Sequence, residues 1–186
     1  MSVVPLVDFR LMLCVLLFIS RLGDIGSTFL ITPKLKLEAN PIVRKLGWPF
    51  ALSTIALCLL PYLSTQLAVM ALIPSLLISA SNTGKVWMVR TMGEEAYTAF
   101  LIGLARKSKL SYALIGTTFS FIFLMLTGGL VLFFYRSPEN DWGFWIGMGI
   151  VTYAMAIGLW SGLYWVRLFK KAKMPLETDA VDSAMS

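Results

Sequence analysis

Residues 47–84 read GWPFALSTIALCLLPYLSTQLAVMALIPSLLISASNTG, and not one of them is charged. As one helix this run would be about 57 Å long at 1.5 Å per residue, nearly twice the roughly 30 Å hydrocarbon thickness of a bilayer. Two short spans fit it, at about 48–63 and 66–84, with a turn near Pro61 to Gln66. Pro61 and Pro74 then mark a turn and a kink, the alternative being broken helices of the kind that bind substrates in transporters. No inverted repeat accompanies them.

The flanking sequence extends this pattern. Residues 9–32 form an apolar run long enough to cross, which stops at Pro33, where a helix interior would lose a hydrogen bond. Asp8 in its flank and the Ser20-Arg21-Leu22-Gly23 sequence after its apolar centre do not fit a cleaved signal peptide, so an uncleaved span is expected. Two further spans are expected at about 110–135 and 142–169. With 58% hydrophobic and 14% charged residues and a mean hydropathy of +0.77, the chain is far more apolar than soluble domains. The expected fold is an all-α polytopic membrane helical bundle of about five transmembrane helices plus one interfacial amphipathic helix. Residues 1–173 would be a single domain and 174–186 a polar cytoplasmic tail.

The amphipathic helix is expected at about 92–106. Thr91 and Glu94 have capping-box spacing, and Met92, Ala96, Tyr97, Phe100 and Leu104 recur at helical intervals. Segments 33–47, 85–109 and 167–173 hold four, five and four Lys or Arg, whereas the alternate connections hold only Arg10 and Arg136. Thirteen against two predicts a multi-pass protein of the inner (cytoplasmic) membrane, N-terminus outside and C-terminus cytoplasmic. Trp48, Trp87 and Trp165 fall near the inner boundary, and Tyr62, Tyr135, Trp142 and Trp145 near the outer one. The net charge of +6 therefore belongs to the membrane boundary, and no nucleic-acid partner is expected. Without histidine the common zinc, copper and haem sites and the imidazole base are excluded. Cys14 and Cys58 read as inert thiols. No catalytic residue, metal ligand set or cofactor is expected.

Arg21 and Asp24 are the most informative residues, because an ionisable group inside a span costs about 3 kcal/mol and must be compensated. Their i, i+3 spacing puts them on one face, which Ser20, Ser27 and Thr28 widen. An ion pair that fixes packing and an intramembrane polar site are both open. After the span comes a turn, Glu38-Ala39-Asn40-Pro41, on the cytoplasmic side. Asn40 before Pro41 suits a helix start, and Glu38 either neutralises nearby lysines or turns back toward Asp24 as an oxygen site for a hard cation or a proton relay. In the last span Gly143, Gly147, Ala154, Gly158 and Gly162 form a helix-packing groove, internal or facing another subunit.

Asp24, Thr28, Glu38-Ala39-Asn40-Pro41 and Arg44 resemble the signature of the DUF5658 family of small prokaryotic membrane proteins. There an Asp-x-x-x-Thr element in the first helix precedes a Glu-x-Asn-Pro turn. The likeness covers roughly residues 1–90, with Asn82 at a further polar position, and implies no activity. Three roles remain. The preferred one is a non-catalytic accessory or scaffolding subunit, with the bilayer and partner subunits or further copies of itself as partners. The second is a small ion- or proton-translocating transporter using Asp24 with Arg21 and Glu38. The third is a membrane-embedded lipid-modifying enzyme in which Asp24, Glu38 and Asn40 hold a metal near a phosphate.

Overall fold

The computed structural model describes residues 6–137 and 142–173, with side chains from residue 9 onward. The expected tail, 174–186, lies outside the described residues. The protein is an all-helical membrane bundle, and five of its helical segments are long and apolar enough to cross a bilayer.

Helix α1 (Leu6–Ile31) ends as expected just before Pro33. The chain then turns through Leu35, at a φ of 54°, and reaches Asn40, whose side chain accepts the Ile42 amide at 2.9 Å. This cap, with Pro41 at the first helical position, starts α2 (Pro41–Ser53) earlier than the expected 48. Gly47 (φ 73°, ψ −165°) is non-helical and kinks the chain within the span, dividing the charged turn that holds Arg44 and Lys45 from the apolar turns beyond it. A 3₁₀ stretch, Thr54–Leu59, and a single turn, α3 (Leu60–Leu63), complete the second span.

The expected hairpin turn falls at Ser64, which caps α4 (Thr65–Met92) by accepting the Leu67 amide at 3.3 Å. Helix α4 outruns its expected end at 84, because nothing between Lys85 and Met92 breaks a helix; Gly93, at a φ of 83°, stops it. The capping box expected at Thr91 does not form. Thr91 lies in the last turn of α4, where its hydroxyl donates to the Trp87 carbonyl, and Gly93 itself precedes α5 (Glu94–Lys107). Helices α6 (Leu110–Phe134) and α7 (Trp142–Ala172) follow, the latter running past the expected 169.

In space α1 packs on α4, α4 on α7 and α7 on α6, with the second span beside α1 and α5 lying across α7 and α4. About half of the buried positions are small, including Ala68, Ala154, Gly128, Gly147, Gly149 and Ser75, and they sit beside buried large residues such as Leu17, Tyr153 and Phe169, while Phe119, Phe123, Leu126, Phe133 and Phe134 of α6 are exposed. Lipid is as apolar as leucine, so close backbone approach at the small positions contributes to helix association. A methyl group on Gly128 would come within 2.8 Å of Val151 Cγ2 and 3.1 Å of the Gly147 carbonyl. One on Gly149 would stand 2.8 Å from Ile73 Cβ and 3.3 Å from the Met70 carbonyl, the group that Pro74, lacking an N–H, leaves without its helical partner.

The basic segments meet at one end. Lys34 and Lys36 pair with Glu95 at 2.7 and 2.9 Å, Arg106 Nε donates to the Ala172 carbonyl at 3.0 Å, and Arg167 Nη2 donates to the Ala39 carbonyl at 2.7 Å. At the other end the Phe9 and Trp142 rings meet with centroids 4.9 Å apart.

Gly128→Leu or Gly149→Leu should destabilise the bundle in detergent by about 1–3 kcal/mol through overpacking. Gly116→Ala, where nothing lies within 4 Å, should leave the melting temperature unchanged. Equal melting for all three variants would contradict this packing.

Candidate functional site

One face of α1 carries the polar column. Ser20, Arg21, Asp24, Ser27 and Thr28 recur at three- and four-residue steps, so the helix turns them all toward α4 and the second span. Arg21 Nη1 donates to Asp24 Oδ2 at 2.7 Å and to Ser75 Oγ of α4 at 2.9 Å, and its Nη2 donates to Thr54 Oγ1. The Arg21 and Asp24 side chains are each only 13% exposed. Thr54 passes its own hydroxyl proton to the Ala51 carbonyl, and the 3₁₀ stretch begins at this residue. A single guanidinium thus joins three spans.

Further along, Asn82 of α4 donates to Thr28 Oγ1 at 3.1 Å and to Ser27 Oγ at 3.4 Å. At the foot of α1, Thr32 donates to Glu94 Oε1, and the Lys34 and Lys36 backbone amides donate to the two oxygens of the same carboxylate at 2.9 and 2.8 Å. Glu94 is therefore buried by the loop it organises. The exposed Glu95 beside it is held down to about 2 by hydrogen bonds from Lys34 and Lys36.

Glu38 turns inward. Its Oε1 accepts the Asn40 amide at 2.7 Å. Burial pushes its carboxyl above the ordinary 4.5 and the nearby charge of Asp24 adds to this, against the pull of the Asn40 and Ala39 amides and of Arg167. Asp24, Glu38 and Arg167 are thus within electrostatic reach of one another across α1, the following loop and α7. Asn40 does not turn toward Asp24: its side chain caps α2. Among the described residues no three His, Cys, Asp or Glu side chains converge on a common point.

The glycine positions of α7 face inside the protein for most of their length. Gly143 lies against Tyr135, Gly147 against Leu132 and Gly158 against Phe121, Ala154 is fully buried, and only Gly162 has open space beside it. Cys14 and Cys58 are free thiols within electrostatic reach of each other, with Tyr62 beside Cys14.

The sequence marks Glu94 only for a capping box, and it does not single out Arg167, Thr54 or Ser75. Lys34-Leu35-Lys36 against the Glu94-Glu95 doublet was the legible signal, a pair of basic residues matching a pair of acidic ones. Hydroxyls such as Thr54 and Ser75 give none, since serine and threonine are common in membrane helices. Compared with protein-family models, curated proteins and solved structures, the chain finds no match in any of the three.

Asp24→Leu should cost about 3 kcal/mol, by leaving Arg21 buried without its counter-charge, and the Arg21→Leu/Asp24→Leu pair should recover much of that loss. Unfolding in detergent measures both; a double variant less stable than either single one would refute the pairing. Because folding raises the Glu38 pKa, the ionised form opposes the fold. Stability should fall as pH rises from 4.5 through the folded value, and Glu38→Gln should flatten that dependence and melt higher at neutral pH.

Proposed function

We propose that this polytopic membrane protein is a non-catalytic accessory or scaffolding subunit of a larger membrane assembly. The observation that carries the reading is that the intramembrane polar groups bind helices to one another: Arg21 to Asp24, Thr54 and Ser75, and Asn82 to Ser27 and Thr28. A transporter's titrating acid must exchange partners during its cycle, whereas Asp24 is clamped by a residue one turn away on its own helix. An outward surface suited to contacts also exists. Helix α6 leaves Phe119, Phe123 and Leu126 uncovered, together with Gly116 and Ser120, a small-xxx-small pair with nothing within 4 Å of Gly116.

The proposed setting is the inner membrane of a prokaryote, with the basic end cytoplasmic; thirteen of the 16 Lys and Arg, gathered at that end, support it. Membership of the DUF5658 family is part of the proposal. In its favour, the residues that carry the likeness are neighbours: Glu38 feels the charge of Asp24, and Thr28 is bonded to Asn82.

The electrostatic contact of Asp24 with Glu38 favours a second reading, proton or ion translocation. Purification of the native protein in a gentle detergent separates the two. The subunit reading expects a stoichiometric partner or a defined homo-oligomer, and no proton flux from the protein in liposomes. A solitary monomer whose flux disappears in Asp24→Asn would replace it with the second reading.

A further inference from the structure

We propose that Arg44 and Arg167, at the basic end where α2 begins and α7 ends, form a discrete binding site for the phosphate group of an anionic membrane lipid.

The site follows from what these two cations lack. Arg167 donates from Nε to the Leu163 carbonyl at 3.2 Å and from Nη2 to the Ala39 carbonyl at 2.7 Å, and its Nη1 is buried with no partner among the described residues. Both partners are backbone carbonyls, so hydrogen bonds hold the guanidinium in place while Glu38 stays within electrostatic reach without forming a salt bridge to it. Arg44 stands on the same face of α2 as Asn40, one helical turn in, and its backbone amide donates to the Asn40 carbonyl at 3.1 Å. The bond from Arg167 to Ala39 brings the second guanidinium to the start of that turn, near enough for the two like charges to repel. Among the described residues neither arginine forms a salt bridge. Glu38 is the nearby acid, and its acceptor oxygen already takes the Asn40 amide.

Two adjacent guanidiniums with unused donors suit the several oxygens of a phosphate. The location selects the source. The site lies beside the loop between two spans, near Trp48, whose indole donates to the Pro33 carbonyl at 2.9 Å, and near Trp165 of α7. Indoles of this kind sit at head-group level, where lipid phosphates lie. A basic pocket between spans at that depth fits an anionic lipid rather than a soluble phosphate.

The test uses the full chain, purified and placed in nanodiscs of phosphatidylcholine doped with phosphatidylglycerol. Retained phosphatidylglycerol is measured by native mass spectrometry after a wash in about 1 M salt, where the Debye length of about 3 Å removes diffuse attraction. Arg44, whose side chain makes no hydrogen bond or salt bridge among the described residues, is the position where a substitution least disturbs the fold. Arg44→Gln should weaken retention about tenfold, while Lys170→Gln/Lys171→Gln, at exposed positions of the same end, should leave it unchanged. A thermal-shift arm with inorganic phosphate reports on the source: no shift is expected, and one lost in Arg44→Gln would move the site to soluble phosphates and overturn the lipid assignment. Equal loss in the lysine variant, or retention unaffected by Arg44→Gln, would show only diffuse attraction and overturn the site itself. None of these readouts depends on whether the protein is a subunit or a transporter.

Discussion

A guanidinium inside a bilayer is the constraint from which most of this architecture follows. Arg21 lies within the first span, where burying its charge costs about 3 kcal/mol unless it is neutralised and its donors are met. Asp24 supplies the charge from the same helix, but its Oδ2 takes only one of the required bonds. Two further bonds, from Nη1 and Nη2, go to Ser75 on α4 and Thr54 in the second span, and those spans must stay close to keep them; Nε is buried without a partner among the described residues. Lipid gives the helices no hydrophobic reason to associate, so this polar junction confers a specificity that apolar contact alone would not.

Close packing elsewhere follows the same logic with different residues. Where α7 crosses α4 and α6, Gly149 of α7 and Gly128 of α6 bring backbone against side chain at distances that a Cβ would violate. The approach to α4 falls where Pro74 has freed the Met70 carbonyl, so a position that weakens α4 from within is braced by a neighbour from without. On α6 most large apolar side chains are left for lipid, and apolarity summed along each span is why hydropathy alone locates the spans so well.

Spans and their number were legible because they depend on summed apolarity, which tolerates error at any single residue. Ends were less legible because they depend on single residues acting against that sum. Asn40 and Pro41 start α2 ahead of its apolar run, and Gly93 lets α4 continue through charged turns that hydropathy assigns to water. The Arg21 and Asp24 pair was legible because a charge in an apolar run stands out and i, i+3 spacing is local. Its partners Thr54 and Ser75 were not, being 33 and 54 residues away and ordinary for membrane helices. Glu94 was read as the end of a surface helix because sequence shows which helix a residue belongs to, not which loop folds over it.

The loop from Thr32 to Asn40 couples the interior to the basic end. Its first half is closed onto Glu94 by the Thr32 hydroxyl and two backbone amides, and its second half is fixed by Arg167 through the Ala39 carbonyl. Helices α1, α5 and α7 therefore share one short segment, and α2 starts where that segment stops. A displacement of α7 at Arg167 would move Ala39, and with it Glu38, whose carboxyl feels the charge of Asp24. The polar column and the arginine pair are thus two ends of one connected structure, and whatever occupies the arginine end acts on the same loop that closes the foot of α1.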